Sequence, residues 1–319
     1  MTSRRVAALD IGTNTCLLLV AEGNPENPTP VLERATITRL GKGVDRTGSL
    51  DAEAILRTAR TLEGYRTELE NAGATSVFAV CTSAARDASN GPEFLSRATD
   101  ALGVAPRIIG GDEEARLTFM GALTGLGTRS AVTVFDIGGG STEIIHGVRD
   151  AAAIGGARVF SSLSMNVGSV RLTERYVAHD PPSSAELDEV RRAVDRALAG
   201  APRAATAELV GVAGTVTTLA AIERKLSVYD PELVHGSLLA RETVERLLRV
   251  LSTQDASERR TVTGLDPGRA DVIVAGATIA LAVLDWAGVD RLRVSDRGVR
   301  WGVASRALSL PPEANWQLE

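Results

Sequence analysis

Asp10-Ile11-Gly12-Thr13-Asn14-Thr15 and Asp136-Ile137-Gly138-Gly139-Gly140-Ser141 are two copies of one phrase, each following one apolar run and preceding another. Residues 6–9 lead into the first copy and 16–20 lead out; 131–135 and 143–148 flank the second in the same order. The pattern reads as a duplicated strand, acidic turn, strand unit, and a repeat of this kind decides architecture before any single element does. Each copy sets one carboxylate beside small residues whose backbone N–H groups can face a ligand. Such a turn suits phosphate.

Outward from the first copy, Ile55, Ala59, Leu62, Tyr65 and Leu69 fall three or four apart, predicting a helix over 51–71 stopped by Gly73. A strand at 75–80, a helix opened by Pro92 and closed near Gly103, a strand at 107–109 and a helix from Asp112, as N-cap, to about Leu123 follow. After the second copy come strands near 158–164 and 208–212, and a helix over 183–199 opened by a Ser183/Glu186 capping box with Leu187, Val190, Val194 and Leu198 on its buried face. Gly214-Thr215-Val216-Thr217-Thr218 then starts a helical run to about Leu226, and 272–284, bounded by Asp271 and Asp285, reads as a buried helix. Residues 24–30 and 180–184 read as Pro-rich loops and 311–319 as a frayed tail. Strands alternating with helices predict an α/β layer architecture. A chain of 319 residues with 44% hydrophobic content predicts two domains. The best boundary, 125–129, gives 1–126 and 127–319, with the last helix able to pack back on the first domain.

A net charge of −5 excludes a broad positive field of the kind that nucleic-acid and anionic-membrane binders use. Cys16 and Cys81 lie far apart and no C-x-x-C or H-E-x-x-H pattern occurs, which argues against a zinc site or a disulfide framework. No run has the length of a membrane span or of a signal-peptide core. A cytoplasmic, soluble protein is expected.

The glycine turn 138–140 can adopt backbone angles closed to other residues and aim several N–H groups at one point, with Ser141 and Thr142 adding hydroxyls. No G-x-x-x-x-G-K-[ST] motif exists, which excludes a Walker-type loop. Asp10 and Asp136 on facing turns would bring hard carboxylate oxygens across one cleft, an arrangement that suits Mg²⁺ with phosphate; closing their own turns is the alternative role. Glu113 and Glu114 fall in the first turn of a helix, where acidic residues are favoured anyway, yet a glutamate beside a phosphate could orient or deprotonate water. Glu143 is open between strand surface and water or metal positioning. Arg86 follows a strand, where ligands of α/β sheets gather. Arg171, Arg259, Arg260, Arg269 and Arg297 read first as surface residues, and His146, His179 and His235 show no metal spacing.

Together these residues resemble the exopolyphosphatase and guanosine pentaphosphate phosphohydrolase (Ppx/GppA) family, within the sugar kinase, actin and chaperone ATPase superfamily. The likeness rests on 10–15, 82–86, 111–116, 136–143, 167–174, 211–219 and 268–273. It implies two actin-like, ribonuclease H-like domains around a central cleft, Mg²⁺ dependence with Mn²⁺ as a substitute, a homodimer, and hydrolytic release of terminal phosphate from linear polyphosphate. The substrate alternative is guanosine pentaphosphate (pppGpp), which would connect the protein to the stringent response. By position, Glu114 and Glu143 match the catalytic residues, and Asp136, Glu143 and Asp10 the metal site. Asp10, Gly12, Asn14, Arg86, Gly138, Gly139, Gly140, Ser141, Gly214, Thr215 and Arg269 would bind phosphate or shape the loops that do. The helical, HD-like extension of longer members has no counterpart in these 319 residues, which removes the expectation of a long polymer channel. Residues 214–219 also sit where kinases of the superfamily place a nucleotide turn, making an ATP-dependent small-molecule kinase the more remote reading.

Overall fold

The structure, a computed structural model, describes residues 4–128, 130–150, 156–202 and 208–311. They fall into two compact units, one drawn from 1–127, 149–158 and 298–319, the other from 128–148 and 159–297. The expected tail lies outside the described residues beyond 311.

The first unit holds β1 (Arg5–Ile11), β2 (Thr15–Asn24), β3 (Asn27–Ile37), β4 (Ser76–Cys81) and β5 (Arg107–Ile108), in the sheet order β3-β2-β1-β4-β5. β2 is antiparallel to both β1 and β3, whereas β4 and β5 continue the sheet in parallel. The second unit holds β6 (Val132–Ile137), β7 (Thr142–Arg149), β8 (Ala157–Met165), β9 (Glu208–Val212), β10 (Leu238–Ala240) and β11 (Arg291–Val294), ordered β10-β11-β9-β6-β7-β8. Read from β8, the run β8-β7-β6-β9-β11 repeats the first order, and β10 is an added edge. The repeat in the sequence is therefore a repeat of whole sheets, and the class is α/β with mixed sheets.

Alternation along β1 and β2 splits the first core. Ala7, Leu9, Ile11, Cys16, Leu18 and Val20 face one way, with Leu62, Tyr65 and Phe94 packed on them from the helices Ala52–Asn71 and Gly91–Leu102. Val6, Ala8, Leu19 and Ala21 face the other way, under Leu117 and Trp301 of the helices Gly111–Ala122 and Val299–Ser309. That second row places Asp10, two residues beyond Ala8, on the face covered by the helix that carries Glu114. In the second unit the helix Ile273–Ala287 is buried along its length through Leu284 and packs with Val190, Val194 and Leu198 of the helix Ser184–Leu198. The Ser183/Glu186 capping box forms as the sequence predicts.

Two local expectations fail. Residues 24–30 are not a loop: β2 runs to Asn24 and β3 starts at Asn27, carrying Pro28 and Pro30. The order makes β3 the outermost strand, where a residue lacking N–H is tolerated, and a register shift beside Val20 and Ala21 absorbs the irregularity. Asp112 is not the N-cap of its helix either. The Glu114 N–H bonds the Gly110 carbonyl at 2.9 Å, so Gly110 is the cap and Asp112, Glu113 and Glu114 all lie in the first turn.

Candidate active site

In each sheet the loops expected to carry chemistry leave the carboxyl ends of the parallel strands, where α/β sheets bind ligands. In the first unit these are the turn after β1, the segment 82–86 after β4 and the helix start after β5. In the second they are the turn after β6, the 213–215 junction after β9 and 295–297 after β11.

Both hairpins close alike. Gly12 N–H bonds the Thr15 carbonyl at 3.1 Å, and Gly138 N–H bonds the Ser141 carbonyl at 3.0 Å. Asp10 is in register with Leu17 across the first hairpin, and Asp136 with Glu143 across the second. Residues directly opposite in an antiparallel pair share a face, so Asp136 and Glu143 stand side by side. Glu143 is 1% exposed and Asp136 8%, which decides the open reading of Glu143 against a surface role. Like charges opposite each other destabilise a sheet, so a buried pair of this kind makes a candidate site. Ser164, on β8, donates its hydroxyl to Glu143 Oε1 at 2.7 Å.

The three-glycine turn is gripped from one side. Gly138 O accepts from the Ser169 N–H (2.9 Å), Gly139 O from the Val170 and Arg171 N–H groups (2.9 and 3.0 Å), and Gly140 O from Arg171 Nε (2.7 Å). A trans peptide carries its C=O and N–H on opposite sides, so these bonds turn the N–H groups of Gly139, Gly140 and Ser141 away from the helix Ser169–Tyr176. Among the described residues no backbone carbonyl accepts from those three amides. The turn thus offers a row of N–H donors suited to an anion. None of its three glycines has positive φ, contrary to expectation. A side chain on Gly168 would collide with the Gly139 and Gly140 backbone. Thr142 is no ligand donor, since its hydroxyl bonds the Val167 carbonyl at 2.5 Å.

The first hairpin is held in the same manner. Thr13 O accepts from the Gly41 N–H (2.8 Å) and Asn14 O from the Thr38 and Arg39 N–H groups (3.0 and 2.9 Å), while Thr13 Oγ1 and Ser83 Oγ lie 2.9 Å apart. Asn14 is 8% exposed, and its Nδ2 is buried without a partner among the described residues. Arg39 takes a left-handed φ of 52°, an uncommon conformation for a residue with a side chain. Beneath the turn, Cys16 and Cys81 both neighbour Ile11 in register. Burial first, and the Asp10 charge second, pushes both thiols well above the ordinary range.

Glu114 is 7% exposed, and Arg86 Nη1 bridges its Oε2 (3.2 Å) and the Ile109 carbonyl (2.9 Å). Glu113 pairs with Arg107 instead. In the second unit Ala213 has φ 67°, making the passage from β9 into the helix Ala213–Glu223 sharp, and the Arg269 guanidinium lies directly on Gly214. Burial pushes the Arg269 pKa down, against the charges of Asp266, Tyr229 and Asp296. Of the arginines read as surface residues, Arg259 is fully enclosed, bonding the Ala270 and Gln254 carbonyls (2.6 and 2.7 Å) and Asp180 (2.7 Å).

Residues 19–310 match the profile of the Ppx/GppA phosphatase family. The chain belongs to that family. Exopolyphosphatase 2 of Mycobacterium tuberculosis is 38% identical to it over 322 residues, covering 95% of this chain and 98% of the relative. The crystal structure of the Aquifex aeolicus Ppx/GppA family member superposes with a TM-score of 0.80 at 33% identity, covering 96% of this chain and 97% of that one. An exopolyphosphatase structure from Cytophaga hutchinsonii gives 0.85 at 27%, covering 96% and 98%. As a Ppx/GppA member, the chain has the α/β fold of that family, with one sheet order used twice.

Sequence reasoning left Arg171 without a role and did not find Ser164 or Thr13 with Ser83. The hairpin spacing contained the pairing of Asp136 with Glu143; the partners from β8 and the following helix depend on a register that no local spacing shows.

Proposed function

We propose that this protein is an exopolyphosphatase that releases terminal orthophosphate from linear inorganic polyphosphate by attack of water. The observation that carries the reading is the buried Asp136 and Glu143 pair beside a turn with outward amides, in a chain similar from end to end to an exopolyphosphatase.

Asp136 and Glu143 would hold Mg²⁺ or Mn²⁺. Among the described residues no three His, Cys, Asp or Glu side chains gather as a metal cage. Two hard carboxylates without a cage fit an ion that completes its shell with water and substrate oxygens. When bound, such an ion neutralises charge on the phosphoryl oxygens. The N–H groups of Gly139, Gly140 and Ser141 would take the terminal phosphate oxygens, and Asn14 with the first turn would take further oxygens of the polyanion, its Nδ2 supplying a donor. Glu114, its second oxygen tethered by Arg86, would orient water in line with the scissile anhydride and accept its proton. Phosphoryl transfer of this kind depends mostly on positioning and electrostatics. A double-mutant cycle between Glu114 and Glu143 in phosphate release tests whether the two glutamates serve the same step, which strong non-additivity would support.

Hydrolysis of pppGpp is the second reading; it uses the same anhydride chemistry and the family name admits it. Phosphate release from polyphosphates of defined length and from pppGpp, with Mg²⁺ supplied or chelated, tests the proposal. Turnover of polyphosphate that stops on chelation supports it; faster turnover of pppGpp overturns the substrate, and phosphate release from neither overturns the reaction. A homodimer and a cytoplasmic setting belong to the same proposal, and sedimentation of the purified protein tests the first.

A further inference from the structure

We propose that Ser164 is a positioning residue for Glu143, an inference that rests on the role just given to that glutamate. Glu143 is almost wholly removed from water and faces Asp136 in register. A carboxylate so placed has little solvent to orient it, and repulsion from its neighbour favours turning away. The Ser164 hydroxyl, reaching from the adjacent strand to Oε1 at 2.7 Å, opposes that rotation. Groups that hold a working carboxylate in this way act on activity without touching substrate.

In the first hairpin the row in register with Asp10 reads Leu17 and then Ala35, with neither a second carboxylate nor a hydroxyl. Ser164 is itself exposed, and Glu143 is its one side-chain partner among the described residues. Packing therefore does not explain it, and its truncation should leave the fold intact.

The experiment compares Ser164→Ala, Ser164→Thr and, as a control on the same strand, Ser161→Ala, in phosphate release from polyphosphate and in the carboxyl ¹³C resonance of Glu143, assigned through its loss in Glu143→Gln. Ser164→Ala is expected to lower kcat about 10-fold or more with KM nearly unchanged, and to move the resonance. Ser164→Thr, which restores the hydroxyl, and Ser161→Ala should match the wild type in both. Unchanged kcat in Ser164→Ala, equal damage from Ala and Thr, or an unmoved resonance overturns the proposal. If the wild type releases no phosphate, the functional reading has failed, while the resonance still decides whether Ser164 governs Glu143.

Discussion

In the first hairpin Asp10 faces Leu17 across the strands; in the second, Asp136 faces Glu143. The two hairpins share the in-register pairing, the bond that closes the turn, and a following glycine, Gly41 or Gly168, pressed against the turn's second residue. One sheet design has thus been used twice, and only the second copy takes on the cost of two neighbouring buried acids. What the two hairpins share is an aspartate and a tight turn; what the second has in addition is a buried glutamate and the hydroxyl bonded to it, the pair to which the proposed chemistry assigns a role.

The largest effect should come from outside the hairpins. Replacing Glu114 by Gln keeps the Arg86 contact in part but removes the proposed base, and turnover should fall about 10² to 10⁴-fold with substrate binding retained, measured by single-turnover phosphate release and by calorimetry. Glu143→Leu makes the second hairpin like the first. Activity should fall by about 10²-fold or more, while thermal unfolding shifts upward or stays level, because a like-charged neighbour is removed; a marked loss of stability would show that the glutamate belongs to the fold. The reverse change, Leu17→Glu, should lower the unfolding temperature and give no gain in turnover. Gly168→Ala tests the shared grip. The new methyl meets backbone, so about 1–3 kcal/mol of stability should be lost, with KM raised as the Gly139 and Gly140 amides shift. Smallest, and outside the comparison, is the helix cap at Ser183. Backbone bonds from Ser183 and then the His179 side chain hold the Glu186 carboxyl down at about 2, against an ordinary 4.5. A depressed pKa means stability that is present above about pH 4.5 and lost as pH falls toward 2. Glu186→Gln should therefore flatten the acid side of the unfolding-temperature profile and leave its alkaline side alone.

Much of this was legible in the chain. The duplicated turns, the periodic helices and the capping box are local patterns, and each appears where its spacing puts it. The parity of Asp136 and Glu143 about a four-residue turn was legible as well, since hairpin symmetry alone sets them opposite. β3 escaped because Pro28 and Pro30 are ordinary loop signals, and only its place at the sheet margin makes them acceptable in a strand. Ser164 and Arg171 escaped for a different reason: their partners lie on neighbouring strands and turns reached through long connections, so their contacts follow from register and not from spacing. The glycine triplet was misread in mechanism, as none of its residues has positive φ; the close approach to the turn is made by Gly168, which has no side chain to collide with its backbone.

The two prolines of β3 have one more consequence. A sheet whose border strand lacks two amide hydrogens is a poor template for a strand from another molecule, so in the first unit lateral growth by strand addition is discouraged at the β3 border. Substituting both prolines by threonine should restore a complete hydrogen-bonding border and, with it, a measurable tendency of concentrated protein to self-associate.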